Sequence, residues 1–344
     1  MKYAHVYALF CMLVFHTSCG GQNQTNPPQD NFKKAHNGIS ESRIKELATS
    51  KVPMTQVRHI KQAKNGDILI AATWSGAFRY DGKSFTNFTS KLGSHRFWDV
   101  LEDRRGNLWF ATLDSGVYYY NGKTFQHFTT REGLANNAVM GIYEDKAGII
   151  WFGGGGLSRY DGKSFQNFTT KDGLPNNGVT PSMEDKTGKL WFTSRDGPCF
   201  YDGKTFTVLK NKDGKGFKNV WSIIEDKKGS IWFGDDDGLW RYDGSTFTKV
   251  SQRGAHAIIQ DKKGNIWTTG PVSPSVGPVW GLSRYDAKSL YDKKPTVTEI
   301  QSGGPAFLGI LEANDGSIWF GSGSGVHRYD GKTITDFKSA TGQK

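Results

Sequence analysis

The residues most suggestive of chemistry in this chain recur at one offset from a repeated landmark. Eleven residues ahead of each landmark stand Arg58, Trp98, Met140, Thr180, Trp221, His256 and Leu308. Arg58, Trp98, Trp221 and His256 have side chains suited to recognition. Indoles offer flat apolar faces that can cover sugar rings, while a guanidinium or imidazole orients hydroxyls or an acid group. Equivalent positions in a repeat tend towards one residue type when they are scaffold, so variety here suits a ligand surface. Packing between repeats is the competing use of Trp98 and Trp221. One place later come His59, Asp99, Gly141, Pro181, Ser222, Ala257 and Gly309, mostly small, which suits crowding near an axis.

Loops expected on the same face contribute Leu113-Asp114-Ser115, Ser194-Arg195-Asp196 and Asp235-Asp236-Asp237. Arg195 joins the candidate ligand residues. The triple aspartate has the oxygen ligands that Ca²⁺ takes, but a solvated acidic loop reads the same way, and no metal site is assigned. Trp280 lies in a Pro-, Val- and Gly-rich insertion, Gly270 to Gly281, and completes the candidate set. Extra loop length often carries function. Catalytic readings have less support. The recurrent Glu102, Glu144, Glu184, Glu225 and Glu312 fall at the far end of a strand, beside a turn, and do not converge on the mouth. His59, His95, His256 and His327 are the histidines placed for a working face. No Ser-His-Asp order, zinc-ligand spacing or phosphate loop is found. The expectation is a non-enzymatic protein without a cofactor.

The elements that must position these residues are repeats. A Gly-x-aliphatic-Trp core recurs at Trp109, Trp151, Trp191, Trp232, Trp267 and Trp319, and a degenerate copy places Leu69 where the Trp belongs. Successive spacings are 40, 42, 40, 41, 35 and 52 residues, the period of propeller blades. Each unit reads as four strands. In one copy these are Val220 to Ile224, Ile231 to Gly234, Gly238 to Tyr242 and Thr246 to Val250, with Asp243-Gly244 as a hairpin signal. Helical periodicity is not evident. The fold expected is an all-β, seven-bladed β-propeller of four-stranded antiparallel blades over 41–340. For ring closure, Ile44-Lys45-Glu46-Leu47 looks like an outer strand, and Thr333 to Phe337 competes for the same place.

Gly141 to Gly153, the run Gly156 to Lys163, and Gly173-Leu174-Pro175-Asn176-Asn177 resemble the two-component regulator propeller repeat. The resemblance covers about four-fifths of the chain. It implies an extracytoplasmic sensor propeller, often for oligosaccharides and commonly joined to a histidine kinase. Only a few residues follow the last repeat, so the expectation is the binding module alone. A lyase similar to streptogramin lyase would need a histidine base beside a carboxylate at the mouth. His59 with Asp99, or His256 with Asp235, are the available pairs.

The first residues indicate export. Lys2 precedes an apolar stretch from Tyr3 to Phe15, too short to span a bilayer comfortably, and His16-Thr17-Ser18-Cys19-Gly20 resembles a lipobox. Residues 1–18 therefore read as a signal peptide, and 19–40 as a lipidated Cys19 followed by a polar tether. That makes an envelope lipoprotein, facing the periplasm or the cell surface. Cys199 is the one thiol in the body of the chain and reads as a buried hydrophobe. The net charge of +11 is concentrated in turns, including Arg104, Lys227, Lys262, Lys83, Lys123, Lys163, Lys204 and Lys332, which read as solvated. The expected partners are a small molecule or oligosaccharide, an envelope protein as alternative, and a membrane through the lipid. Nucleic acid is not expected for an exported protein.

Overall fold

The computed structural model describes residues 39–93, 95–236, 238–273, 279–303 and 306–337. The proposed signal peptide, Cys19 and the tether through residue 38 lie outside the described residues. Seven four-stranded antiparallel sheets follow one another along the chain. The first shows the pattern: β1 (Val57–Gln62), β2 (Ile68–Ala72), β3 (Gly76–Tyr80) and β4 (Phe85–Asn87) pair as neighbours in chain order. The innermost strands of the later blades are Phe97–Glu102, Val139–Glu144, Thr180–Glu184, Ser222–Glu225, Ala257–Gln260 and Phe307–Glu312. Each contacts the next, and Phe307–Glu312 contacts β1, so the sheets close into a seven-bladed propeller.

The core lies between blades. Trp151, Leu157 and Phe168 of blade 3 pack on Leu190, Phe192 and Cys199 of blade 4, and the pattern repeats around the ring. One blade alone could not bury these faces. Cys199 is fully buried and its thiol is pushed up to about 12, the behaviour of a small hydrophobe.

Hydrogen bonds explain the repeated signature. Asp103, Asp145, Asp185, Asp226 and Asp261 accept from the indole N–H groups of Trp109, Trp151, Trp191, Trp232 and Trp267 at 2.6–3.0 Å. The second carboxylate oxygen takes amides of the intervening turn, as Asp103 Oδ1 does from Arg105 and Asn107. Blade 1 has Ala63 at the aspartate's place, and there the tryptophan is Leu69. Acceptor and donor disappear together. Blade 7 keeps Trp319 above Ala313, where the indole stacks on Phe337 with centroids 5.2 Å apart.

The recurrent glutamates are clasps between blades. The backbone N–H of Lys64, Arg104, Lys146, Lys186 and Lys262 donates to Glu102, Glu144, Glu184, Glu225 and Glu312 of the following blade at 2.7–3.0 Å. Gln260 does the same for Lys227. Side chains of these basic residues reach on to carbonyls of the next turn, for example Lys146 Nζ to Asp185 O at 2.7 Å and Lys227 Nζ to Asp261 O at 3.1 Å. Arg104, Lys227 and Lys262 are therefore structural rather than merely solvated, a correction to the sequence reading. Lys83, Lys123, Lys163, Lys204 and Lys332 are exposed hairpin residues as expected.

The seam between blades 7 and 1 is built differently. Gln62 turns back to Gly66 O, and Asn314 replaces the basic residue. Closure there is apolar, through Val57, Ile60 and Phe78 against Trp319 and Val326. Gly321 permits the approach, because a β-carbon would collide with the Val57 carbonyl oxygen. Ile334–Asp336 supplies the outer strand of blade 7, so every blade is made from contiguous chain. The segment expected to be a competing outer strand is instead a helix, α1 (Glu41–Ala48). Ile44 and Leu47 are three residues apart, fall on one helical face and are buried, while Arg43 and Glu46 pair at 2.6 Å.

Natural co-replacement in blade 1 suggests a test in blade 2. Asp103→Ala alone should cost about 1–3 kcal/mol, because it leaves a buried indole N–H unpaired. Combined with Trp109→Leu, the loss should fall short of the sum of the two singles by about 1 kcal/mol. Urea denaturation of the three variants measures this, and strict additivity would refute the coupling.

Candidate functional site

Side chains of an inner strand alternate between its two faces, so turning a residue towards the axis takes a local break in the pattern. A register shift provides it. β1 pairs Val57 with Ala72 and His59 with Ala71, leaving Arg58 as the extra residue. The same slip isolates Trp98 between Phe97 and Asp99, and Met140 between Val139 and Gly141. A bulge of this kind removes one residue from the ladder and re-aims its side chain. Blade 7 shifts between Phe307 and Ile310, around Leu308. Trp221 and His256 stand immediately before their inner strands, and Thr180 is paired in register with Thr193. All seven offset residues line one cavity of about 460 Å³, to which every blade contributes.

The four recognition residues meet there. The Arg58 guanidinium carbon lies 4.5 Å from the ring centroid of Trp98 and 5.4 Å from that of Trp221. It thus bridges blade 1 to blade 2 and to the start of blade 5. Trp221 stacks on His256 at 5.3 Å with the rings 16° apart, and Trp280 packs on the same imidazole at 4.6 Å. Neither Trp98 nor Trp221 belongs to the clusters between blades, and Trp221 is 42% exposed. Arg195 stands apart: it is exposed on its loop, does not line the cavity, and its carbonyl accepts from Asn219 N–H at 2.9 Å.

Below Arg58 is a polar pair that sequence reading missed. Lys61 Nζ sits 2.9 Å from the buried Asp99 carboxylate, which also accepts from the amides of Val100 and Ile142. The repeat offset gave no signal for it, since Asp99 is level with His59 and Lys61 with Leu101. With Asp99 so engaged, His59 Nδ1 faces the Trp98 carbonyl at 2.8 Å instead. His256 has indoles as its ring neighbours, and buried Asp235 accepts from Gly238 N–H and Trp240 Nε1–H. Neither histidine–carboxylate pair considered above is formed. Asp236 accepts from Asn219 Nδ2 at 2.7 Å, and residue 237 lies outside the described residues. Among the described residues no cluster of three potential metal ligands occurs.

Residues 91–114, 133–156 and 214–237 match the two component regulator propeller family. The chain carries two-component regulator propeller repeats. Among solved structures it is similar to an extracellular domain assigned to a hybrid two component system, BT3049 of B. thetaiotaomicron. The TM-score is 0.67 and the identity 21%, over 83% of this chain and 40% of that one. Virginiamycin B lyase from Staphylococcus aureus is similar with a TM-score of 0.62 and 17% identity, over 79% of this chain and 93% of the lyase. PorZ, a surface component of the type-IX secretion system of Porphyromonas gingivalis, has a TM-score of 0.59 and 15% identity, over 79% of this chain and 46% of PorZ. At these identities the likeness concerns the fold. Curated protein sequences supply no match. No helix among the described residues is long and apolar enough to cross a membrane.

The repeats' mouth has unusual electrostatics. Burial, and then the charge of Arg58, depress the His256 imidazole from 6.5 to about 4. Burial is also the main cause of the lowered His59 value. Desolvation lowers Arg58 to about 10, which leaves it charged at neutral pH. An imidazole depressed in the folded state resists a proton that the unfolded chain accepts. Its stabilising contribution is complete above pH 6.5 and is lost as pH falls towards 4. Between pH 7 and 5, His256 should cost the fold at most about 2 kcal/mol. Urea midpoints at both pH values check this: His256→Phe should lose less than wild type, whereas equal losses would contradict it.

Proposed function

We propose that the chain is an extracytoplasmic binding propeller whose axial mouth holds an oligosaccharide or another ligand of the cell envelope. One observation carries the reading. Seven residues at one repeat offset line one cavity, and two of them are indoles left out of the packing between blades. Trp98 and Trp221 cover apolar ring faces, while Arg58 and His256 supply polar contacts at the edge. A cavity of about 460 Å³ suits one or two sugar rings. The repeats, and the fold shared with an extracellular domain assigned to a hybrid two component system, support a sensing role. Export with an anchor at Cys19 belongs to the same reading, with recognition rather than bond cleavage as the task.

A glycan array followed by titration calorimetry tests it. Trp98→Ala and Trp221→Ala should each weaken binding by about 1–3 kcal/mol, and Trp221→Ala should melt almost as wild type does. Unchanged affinity in both variants would sink the site, and a collapse of stability in both would return the indoles to packing.

A further inference from the structure

Arg58 is anomalous in its surroundings. The residue is half-buried, its Nε is buried and bonds to no protein group, and the guanidinium has no carboxylate partner among the described residues. Most buried charges are paired, because an unpaired one is costly. The rest of the cavity does not supply the missing charge. Asp99 is the one carboxylate among the lining residues, and Lys61 Nζ sits on it at 2.9 Å. His59 and His256 are neutral at pH 7, since burial depresses both. Among the described lining residues one net positive charge is left over, held between two indole faces.

Cation–π contacts compensate such a charge only in part, whereas an oxyanion compensates it fully. A guanidinium presents a planar fork of donors that matches a carboxylate or a sulfate edge in two parallel bonds. The flanking indoles would lie against the ring that bears the anion. Resting on the reading of the mouth as a saccharide site, we propose that the site selects acidic saccharides and that Arg58 is the residue that recognises their oxyanion. The ligand is then a sugar ring carrying a carboxylate or a sulfate, held by its edge at Arg58 and by its faces at Trp98 and Trp221. Because the guanidinium lies against Trp98 and Trp221, an anion at Arg58 changes the charge felt by both indoles, which makes tryptophan emission a reporter.

The experiment uses the exported protein as it exists, with three probes: trigalacturonic acid, neutral galactotriose and inorganic sulfate. Trigalacturonic acid should bind at least ten-fold tighter than galactotriose and weaken as sodium chloride rises. Arg58→Gln should lower its affinity ten-fold or more, alter galactotriose binding less than two-fold, and melt no earlier than wild type, because a half-buried charge without a carboxylate partner is removed. Arg58→Lys should recover only part of the loss. Sulfate should perturb tryptophan emission in wild type and not in Arg58→Gln. If galactotriose binds as tightly and Arg58→Gln changes nothing, the anion inference falls and the saccharide site stands. If sulfate acts through Arg58 but neither saccharide binds, the proposal falls with the saccharide reading, and a bare anion site remains. No response to any probe overturns both.

Discussion

A buried carboxylate that accepts an indole N–H across a turn holds the scaffold together, five times around the ring. One oxygen of each aspartate fixes the turn between the first two strands, and the other fixes the tryptophan that fills the gap to the next blade. The same turn then presents an amide and a basic side chain to the next blade's glutamate and carbonyls. A local turn, an inter-blade contact and the order of blades thus follow from one short sequence. All of it sits at one end of the inner strands.

This leaves the opposite end free of scaffold duties. There the ladder slips by one residue in blades 1, 2 and 3, and the residue it releases is different each time. A closed ring brings residues from position 58 to position 308 around one cavity although they are distant in sequence. Among the described residues lining that mouth, Arg58 is the fixed charge without an opposite charge beside it. The slip recurs from blade to blade, and the residue it releases gives each of these blades its own contribution to the cavity.

Much of this was legible because repeats state the same rule several times. The spacing of the tryptophans specified the blades, and an offset from them picked out Arg58, Trp98, Trp221 and His256 before any geometry was known. What stayed hidden depends on contacts that cross blades. The glutamates read only as turn-side residues away from the mouth and the turn lysines as solvated, since their partners lie about forty residues away. Lys61 and Asp99 share no local motif and meet only in the ring. Ile44 and Leu47 were misread because four residues of alternating type cannot separate a strand from one helical face. Arg195 followed the loop pattern, yet it does not line the cavity.

The central claim is a division of labour between buried scaffold indoles and released mouth indoles, and the indole N–H resonances report it residue by residue. In a ¹⁵N-correlated spectrum titrated with trigalacturonic acid, the signals of Trp98, Trp221 and Trp280 should move. Those of Trp109, Trp151, Trp191, Trp232 and Trp267, each held by its aspartate, should stay in place. Shifts spread over the aspartate-bound set, or a mouth set that stays still while the ligand binds elsewhere, would contradict the account.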